Sequence, residues 1–137
     1  MSLFPALSVS GSGADAMQAW IDTAAGNVAN MNDAARVGSR VYAEQTPILQ
    51  PVAGPSSAGA STEGVKVARV ALGTSIGVTT YEPTSPLANG QGDVALPNVT
   101  LAEQIVGMIS AQESYGANTA MMAKAQIAYN AALAIGA

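Results

Sequence analysis

Pro97-Asn98-Val99-Thr100-Leu101-Ala102-Glu103-Gln104-Ile105-Val106-Gly107-Met108-Ile109-Ser110-Ala111 is the stretch that decides the fold. Pro97 stops any regular element before it, because proline lacks the N–H that a ladder or helix needs. Thr100-Leu101-Ala102-Glu103 then reads as a capping box, in which a hydroxyl and a carboxylate satisfy the first free N–H groups of a helix. The helix is expected to run to about Ile135, with Gly136 as its terminator. Along it Leu101, Met108, Tyr115, Met122 and Tyr129 recur every seven residues. Ile105 and Leu133 lie on the adjoining row, and Ala111, Ala125 and Ala132 sit beside them. Such a seam packs against another helix. From Gln104 to the end the only charges are Glu113 and Lys124, whereas a surface helix normally keeps a charged outer face. Contacts on more than one side are therefore expected.

The partner is at the other end of the chain. Leu3, Leu7, Ser10, Ala14, Met17, Ile21, Ala24, Val28 and Met31 alternate spacings of four and three, a second seam. A helix is expected to about Arg36, beginning at a Ser12 cap or as early as Ser2. Asp15, Asp22 and Asp33 lie off the seam. Asn27, Asn30 and Asn32 cluster where this helix should end. Asn32 reads as a turn residue. For Asn27 and Asn118 two readings stand level: local helix-end chemistry, or a buried amide that fixes register between helices.

Between the helices, residues 37–98 hold all but one of the seven prolines and are rich in Gly and Ser. Pro47 to Thr62 reads as a loop or extended arm. Gly64 to Leu72 alternates as a strand does, Ile76 to Glu82 is a second candidate, and Gly73-Thr74-Ser75 would join them as a hairpin. Asp93 to Leu96 reads as a short extended piece. The expected architecture is mainly α with a small β insert. It comprises an N-terminal helix over 1–36, an extended arm and β-rich middle over 37–98, and a C-terminal helix over 99–137. The terminal helices pair as a coiled-coil-like hairpin.

Composition removes most chemistry. The chain has no cysteine and no histidine, so disulfides, thiolate metal sites, the usual general base and the commonest metal ligand are all missing. Lys66 and Lys124 sit in no catalytic motif, and no phosphate-binding loop occurs; Ser10-Gly11-Ser12-Gly13 reads as a helix lead-in. Asp15 and Asp22 lack a third ligand and read as a solvated stripe, while Glu103 reads as a cap and stands nearly three turns from Glu113. No catalytic residue, cofactor or metal is expected. Nine acidic against five scattered basic residues, net charge −4, speak against a nucleic-acid partner. Only 10% of residues are charged and 4% aromatic, against about 25% charged in an ordinary domain. A surface so poor in charge is expected to be covered by other chains. Neither a cleaved secretory signal nor a membrane-spanning helix is read from the sequence.

The residues also carry a resemblance. Gly26-Asn27-Val28-Ala29-Asn30 resembles the "NIAN" segment of flagellar axial proteins. Pro97 to Ala111, with Pro97, Asn98, Val99, Glu103, Met108 and Ile109 in place, is similar to their C-terminal "PNVNxxEExVxMIxA" segment. Gln112 to Asn118, with Tyr115, Ala117 and Asn118, is similar to the "xRAYEAN" that follows. Met31 to Arg36 departs from the family's "ANTxxxxPYRR", Glu113-Ser114 stands where Arg-Ala is usual, and Gly116 where Glu is usual. The opening residues, Gly64-Val65-Lys66-Val67 and the length resemble the short proximal-rod subunits. This resemblance implies a structural subunit of the periplasmic drive shaft, exported unfolded by the flagellar type III apparatus without signal cleavage. It implies copies of itself, other rod subunits, and the MS ring with its rod adaptor as partners. A small helical-hairpin adaptor, or another rod or hook-type axial protein, are the alternatives; a minimal carboxylate enzyme is a third.

Overall fold

A computed structural model describes residues 3–53 and 62–135. In chain order the elements are α1 (Leu3–Asn30), β1 (Gln45–Ala53), β2 (Thr62–Leu72), β3 (Val78–Tyr81), β4 (Asp93–Leu96) and α2 (Leu101–Ile135). The two terminal helices pack along each other; β4 lies beside the segment just after α1 through Ala35 and Ala95, and β1 and β2 run back along α1 from Asn27 to Ser12 and Val9. The mainly α architecture with a small β middle is the one the sequence predicts.

α2 begins where the capping box places it: Gln104 N–H donates to the Thr100 carbonyl at 3.1 Å, the first helical bond. The expected terminator, Gly136, lies outside the described residues. α1 takes the earlier of its two starts, so Ser12 lies inside the helix, its hydroxyl donating to the Val9 carbonyl at 2.9 Å. The helix ends at Asn30, six residues short of Arg36. Tertiary pairing overrides the helix propensity of Ala34 and Ala35. Ala35 and Ala95 exchange both backbone bonds at 2.9 Å, which holds Ala35 extended.

The sheet pairings differ from the expected ones. β2 does not turn through Gly73–Ser75 to meet the next strand; it pairs antiparallel with β1, and β3 pairs with β4. Residues 73–76 instead run beside 40–44. Gly73 N–H donates to Glu44 O at 2.8 Å, Val41 N–H donates to Ser75 O at 3.0 Å, and Arg40 bridges Ile76. The arm read from Pro47 onward is thus a strand as far as Ala53, and its continuation over 54–61 lies outside the described residues. In a two-stranded sheet every strand has a free edge, where Pro47 and Pro51 need forfeit no ladder bond.

The hydrophobic core is thin. Among the described residues it consists of Ala14, Ala16, Ala24, Val41, Val94, Ala95 and Ala111, so five of its members are alanine. The largest fully buried side chains are Val94 and the polar Asn27. At the start of β2 a glycine is forced. Gly64 adopts φ +123°, and a Cβ there would collide with the Ser12 hydroxyl. The same hydroxyl accepts from Val65 N–H at 3.1 Å, fastening the start of β2 to α1.

Candidate assembly surface

The side chain with the fullest set of hydrogen bonds among the described residues is a buried amide. Asn27, 1% exposed, is centred between α1, the entry to β1 and the first turn of α2. Its Nδ2 donates to Gln45 O at 2.8 Å and to Gln104 Oε1 at 2.9 Å. Its Oδ1 accepts from Tyr42 Oη–H at 2.9 Å and from Gln45 N–H at 2.8 Å. That satisfies both donors and both acceptor sites of the amide. Gln104, 8% exposed, passes the network on by donating from Nε2 to Glu44 Oε1 at 2.7 Å. Burial, and then the nearby Glu44 charge, push the Tyr42 phenol above its ordinary pKa. Asn27 thus fixes register between elements, one of its two expected roles. Asn30, one turn on, donates back to Gly26 O at 2.8 Å, a local helix-end bond. Asn118 lies against the opposite stretch of α1. A Cβ on Gly13 would come within 2.8 Å of its amide, so Gly13 is the point of close helix approach. Asn118 Nδ2 also donates to Ser114 O at 3.0 Å.

The heptad residues divide by environment. On α1, Ala24 is buried and Met17, Ile21 and Val28 are half-buried, as is Met31 just past the helix end. On α2, Met108, Met122 and Tyr129 are half-buried, while Leu101, Ile105, Tyr115 and Leu133 are exposed. The row nearest α1 is centred on Gln104, Ala111 and Asn118, with Gly107 admitting Trp20, whose Nε1 lies 3.5 Å from where a Cβ would stand. Of the remaining motif residues, Pro97 is buried and Val99 half-buried, whereas Ala29, Asn98, Glu103, Ile109 and Ala117 are exposed. Sequence reading passed over Tyr42, Gln45, Gln104 and Trp20. Tyr42 is one of two aromatics, with Tyr81, in the Gly- and Pro-rich residues 37–98, and that scarcity is the signal that could have found it.

A second apolar stripe runs along α2 away from α1. Ile105, Ile109, Gly116, Ala120, Ala123, Ile127 and Ala134 keep helical spacing, and all are exposed. Ile109 is 50% and Ile127 68% exposed, and Val106 beside them 64%. Over the outer half of the helix Lys124 is the only charge. Stripes of this length on a lone helix are characteristic of surfaces that other chains cover.

Among the described residues no group of three His, Cys, Asp or Glu could hold a metal, and no helix is long and apolar enough to cross a membrane. Open clefts lie between Trp20, Glu44 and Gln104 beside the Asn27 network (about 190 Å³), along Met17, Trp20 and Ala111 (about 330 Å³), and between Arg40, Ile76 and Ala95 (about 440 Å³).

A thin alanine core, a pinned helical pair and an uncovered apolar stripe are the features of a structural subunit. Comparison with known proteins agrees. Residues 91–133 match the family described as flagellar basal body rod FlgEFG protein, C-terminal. The chain is 34% identical over 122 residues to the flagellar basal-body rod protein FlgC of an Escherichia coli strain, covering 89% of each chain. It is 32% identical over 149 residues to that of Borreliella burgdorferi, covering 98% of each. The Bacillus subtilis protein is 31% identical over 137 residues, covering 89% of this chain and 90% of its own. The chain belongs to the FlgC family of flagellar basal-body rod proteins. It is a structural component of the flagellar rod and not an enzyme.

Proposed function

We propose that this chain forms part of the proximal rod by polymerising through its terminal helices, so that the rod carries torque as a drive shaft. The observation that carries this is the exposed stripe Ile105, Ile109, Gly116, Ala120, Ala123 and Ile127 on α2. Apolar area of that kind contributes about 25 cal/mol for each Å² removed from water. In this reading Met17, Ile21, Ala24, Val28, Met31, Met108, Met122 and Tyr129 hold α1 and α2 together within a subunit. Leu101, Ile105, Tyr115 and Leu133 contact neighbouring subunits.

The partners follow the same reading: copies of this chain, other rod subunits, and at the base the rod–MS-ring adaptor and the MS ring. The chain reaches the periplasm through the flagellar type III export apparatus, without signal cleavage. Freedom from cysteine suits that route, because no disulfide can obstruct threading of an unfolded chain. The test is mass spectrometry of purified hook–basal bodies, paired with the variant Ile109→Asp. The expected results are the wild-type chain at a few copies per particle, and a variant that is made but absent from the particles. A chain missing from basal bodies, or normal incorporation of the variant, would contradict the proposal.

A further inference from the structure

The β1–β2 hairpin carries an irregularity with a chemical consequence. Val67 pairs with Leu49 and Arg69 with Ile48, so Ala68 is an extra residue without a partner. Side chains alternate along a strand, and Lys66 and Arg69, three residues apart, would ordinarily face opposite sides. The bulge cancels that alternation. Lys66 pairs with Gln50 and Arg69 with Ile48, two β1 residues on one face, so both cations share that face about 7 Å apart along the strand. Ile48, Gln50, Lys66 and Arg69 are all exposed, while Pro47, Leu49 and Val65 on the other face are buried or half-buried. Neither cation has an ion pair among the described residues.

The matching surface lies on α1. Asp15, Gln18, Asp22, Ala25 and Ala29 form an exposed stripe at helical spacing. Gln18 Nε2 donates to Asp22 Oδ1 at 2.9 Å and holds that carboxylate in place. The two carboxylates stand about 10 Å apart along the helix, within reach of two long cationic side chains. Lys66 and Arg69 lie on the exposed face of the hairpin, and among the described residues no ion pair joins either of them to these carboxylates within the chain, so both patches are open to a second copy. A contact between two different patches of identical chains propagates from copy to copy instead of closing a dimer.

We propose that in the rod the Lys66–Arg69 face of one copy's hairpin docks on the Asp15–Asp22 stripe of α1 in the next copy. The inference rests on the reading of this chain as a polymerising rod subunit and assigns the faces that meet. The chain has no native cysteine, so cross-linking is clean. Cells co-express Gln18→Cys and Gln50→Cys copies, and basal bodies are isolated and oxidised. A disulfide-linked dimer is expected only when both variants are present. In parallel, the charge-reversed Lys66→Glu/Arg69→Glu chain should weaken each contact about tenfold and sharply reduce copies per particle. Adding Asp15→Lys/Asp22→Lys to that chain should restore them. Any one of three results would overturn the assignment: no dimer while both cysteine variants are incorporated, full incorporation of the reversed chain, or loss without rescue. The last would mean that the cations face an anionic surface other than a second copy. Wild-type chain missing from basal bodies would instead defeat the rod reading beneath it.

Discussion

The junction around Asn27 and the outer half of α2 are built on opposite principles. At the junction a buried amide has every hydrogen-bonding position filled, by Gln45 twice, Tyr42 and Gln104. Along α2 beyond Ala111 the described side chains are exposed or half-buried, and Met121, Ile127 and Leu133 stand open to solvent. The junction is complete within one molecule, and the outer helix is complete only with neighbours. Substitutions should therefore separate into those felt by the isolated chain and those felt by the assembly.

Asn27→Ala should produce the largest loss in the isolated chain. It strands buried groups of Gln45 and Gln104, at a cost of roughly 3–5 kcal/mol, enough to unfold a domain of this size. Urea unfolding followed by circular dichroism reads the change, and a loss below about 1 kcal/mol would show that the network is not the pin. Gly64→Ala comes next, at about 1–3 kcal/mol, because φ +123° disfavours a side chain and Ser12 fills the space. Its removal should free the start of β2 from α1, seen as lost amide protection at Val65.

Tyr42→Phe should cost about 1 kcal/mol, since Asn27 Oδ1 keeps its bond from Gln45 N–H. The same tyrosine gives a pH signature. Its folded pKa lies above the ordinary 10.0, so the fold retains a proton that the unfolded chain releases. The stability it supplies is fully present below about pH 10 and falls as pH rises beyond that. Tyr42→Phe should flatten that alkaline fall. Smallest of all in the isolated chain is Ile127→Ser, within about 0.5 kcal/mol because the side chain is 68% exposed. In cells the same variant should impair rod assembly, and motility on soft agar measures that. Wild-type motility would erase the contrast between the two regions.

How much could be read from the sequence follows the same division. α2 was legible to its first residue, because Pro97 and the capping box at Thr100 are local signals. The family resemblance lay in contiguous motifs and was legible too. Strand pairing was not, since Gly73-Thr74-Ser75 looks like a turn until Glu44 and Val41 are seen bonding to it across the fold. The end of α1 was missed because Ala34 and Ala35 favour helix locally, while Ala95 claims Ala35 from sixty residues away. Among the site residues, heptad spacing identified apolar rows on α2. It could not tell which row meets α1, because the nearest row runs through Gln104, Ala111 and Asn118, residues without an apolar signal of any size. For Asn27 the sequence leaves helix-end chemistry and a buried register-fixing amide level, because its partners Tyr42 and Gln45 come from a segment with no periodicity to read.

Hydrogen–deuterium exchange, compared between the isolated chain and purified basal bodies, tests the central claim most directly. The account predicts slow exchange around Asn27 and Gln104 in both states, with residues 112–133 fast in the isolated chain and strongly protected in the rod. Equal protection of residues 112–133 in the two states would contradict it, because the outer face of α2 would then owe nothing to neighbouring subunits.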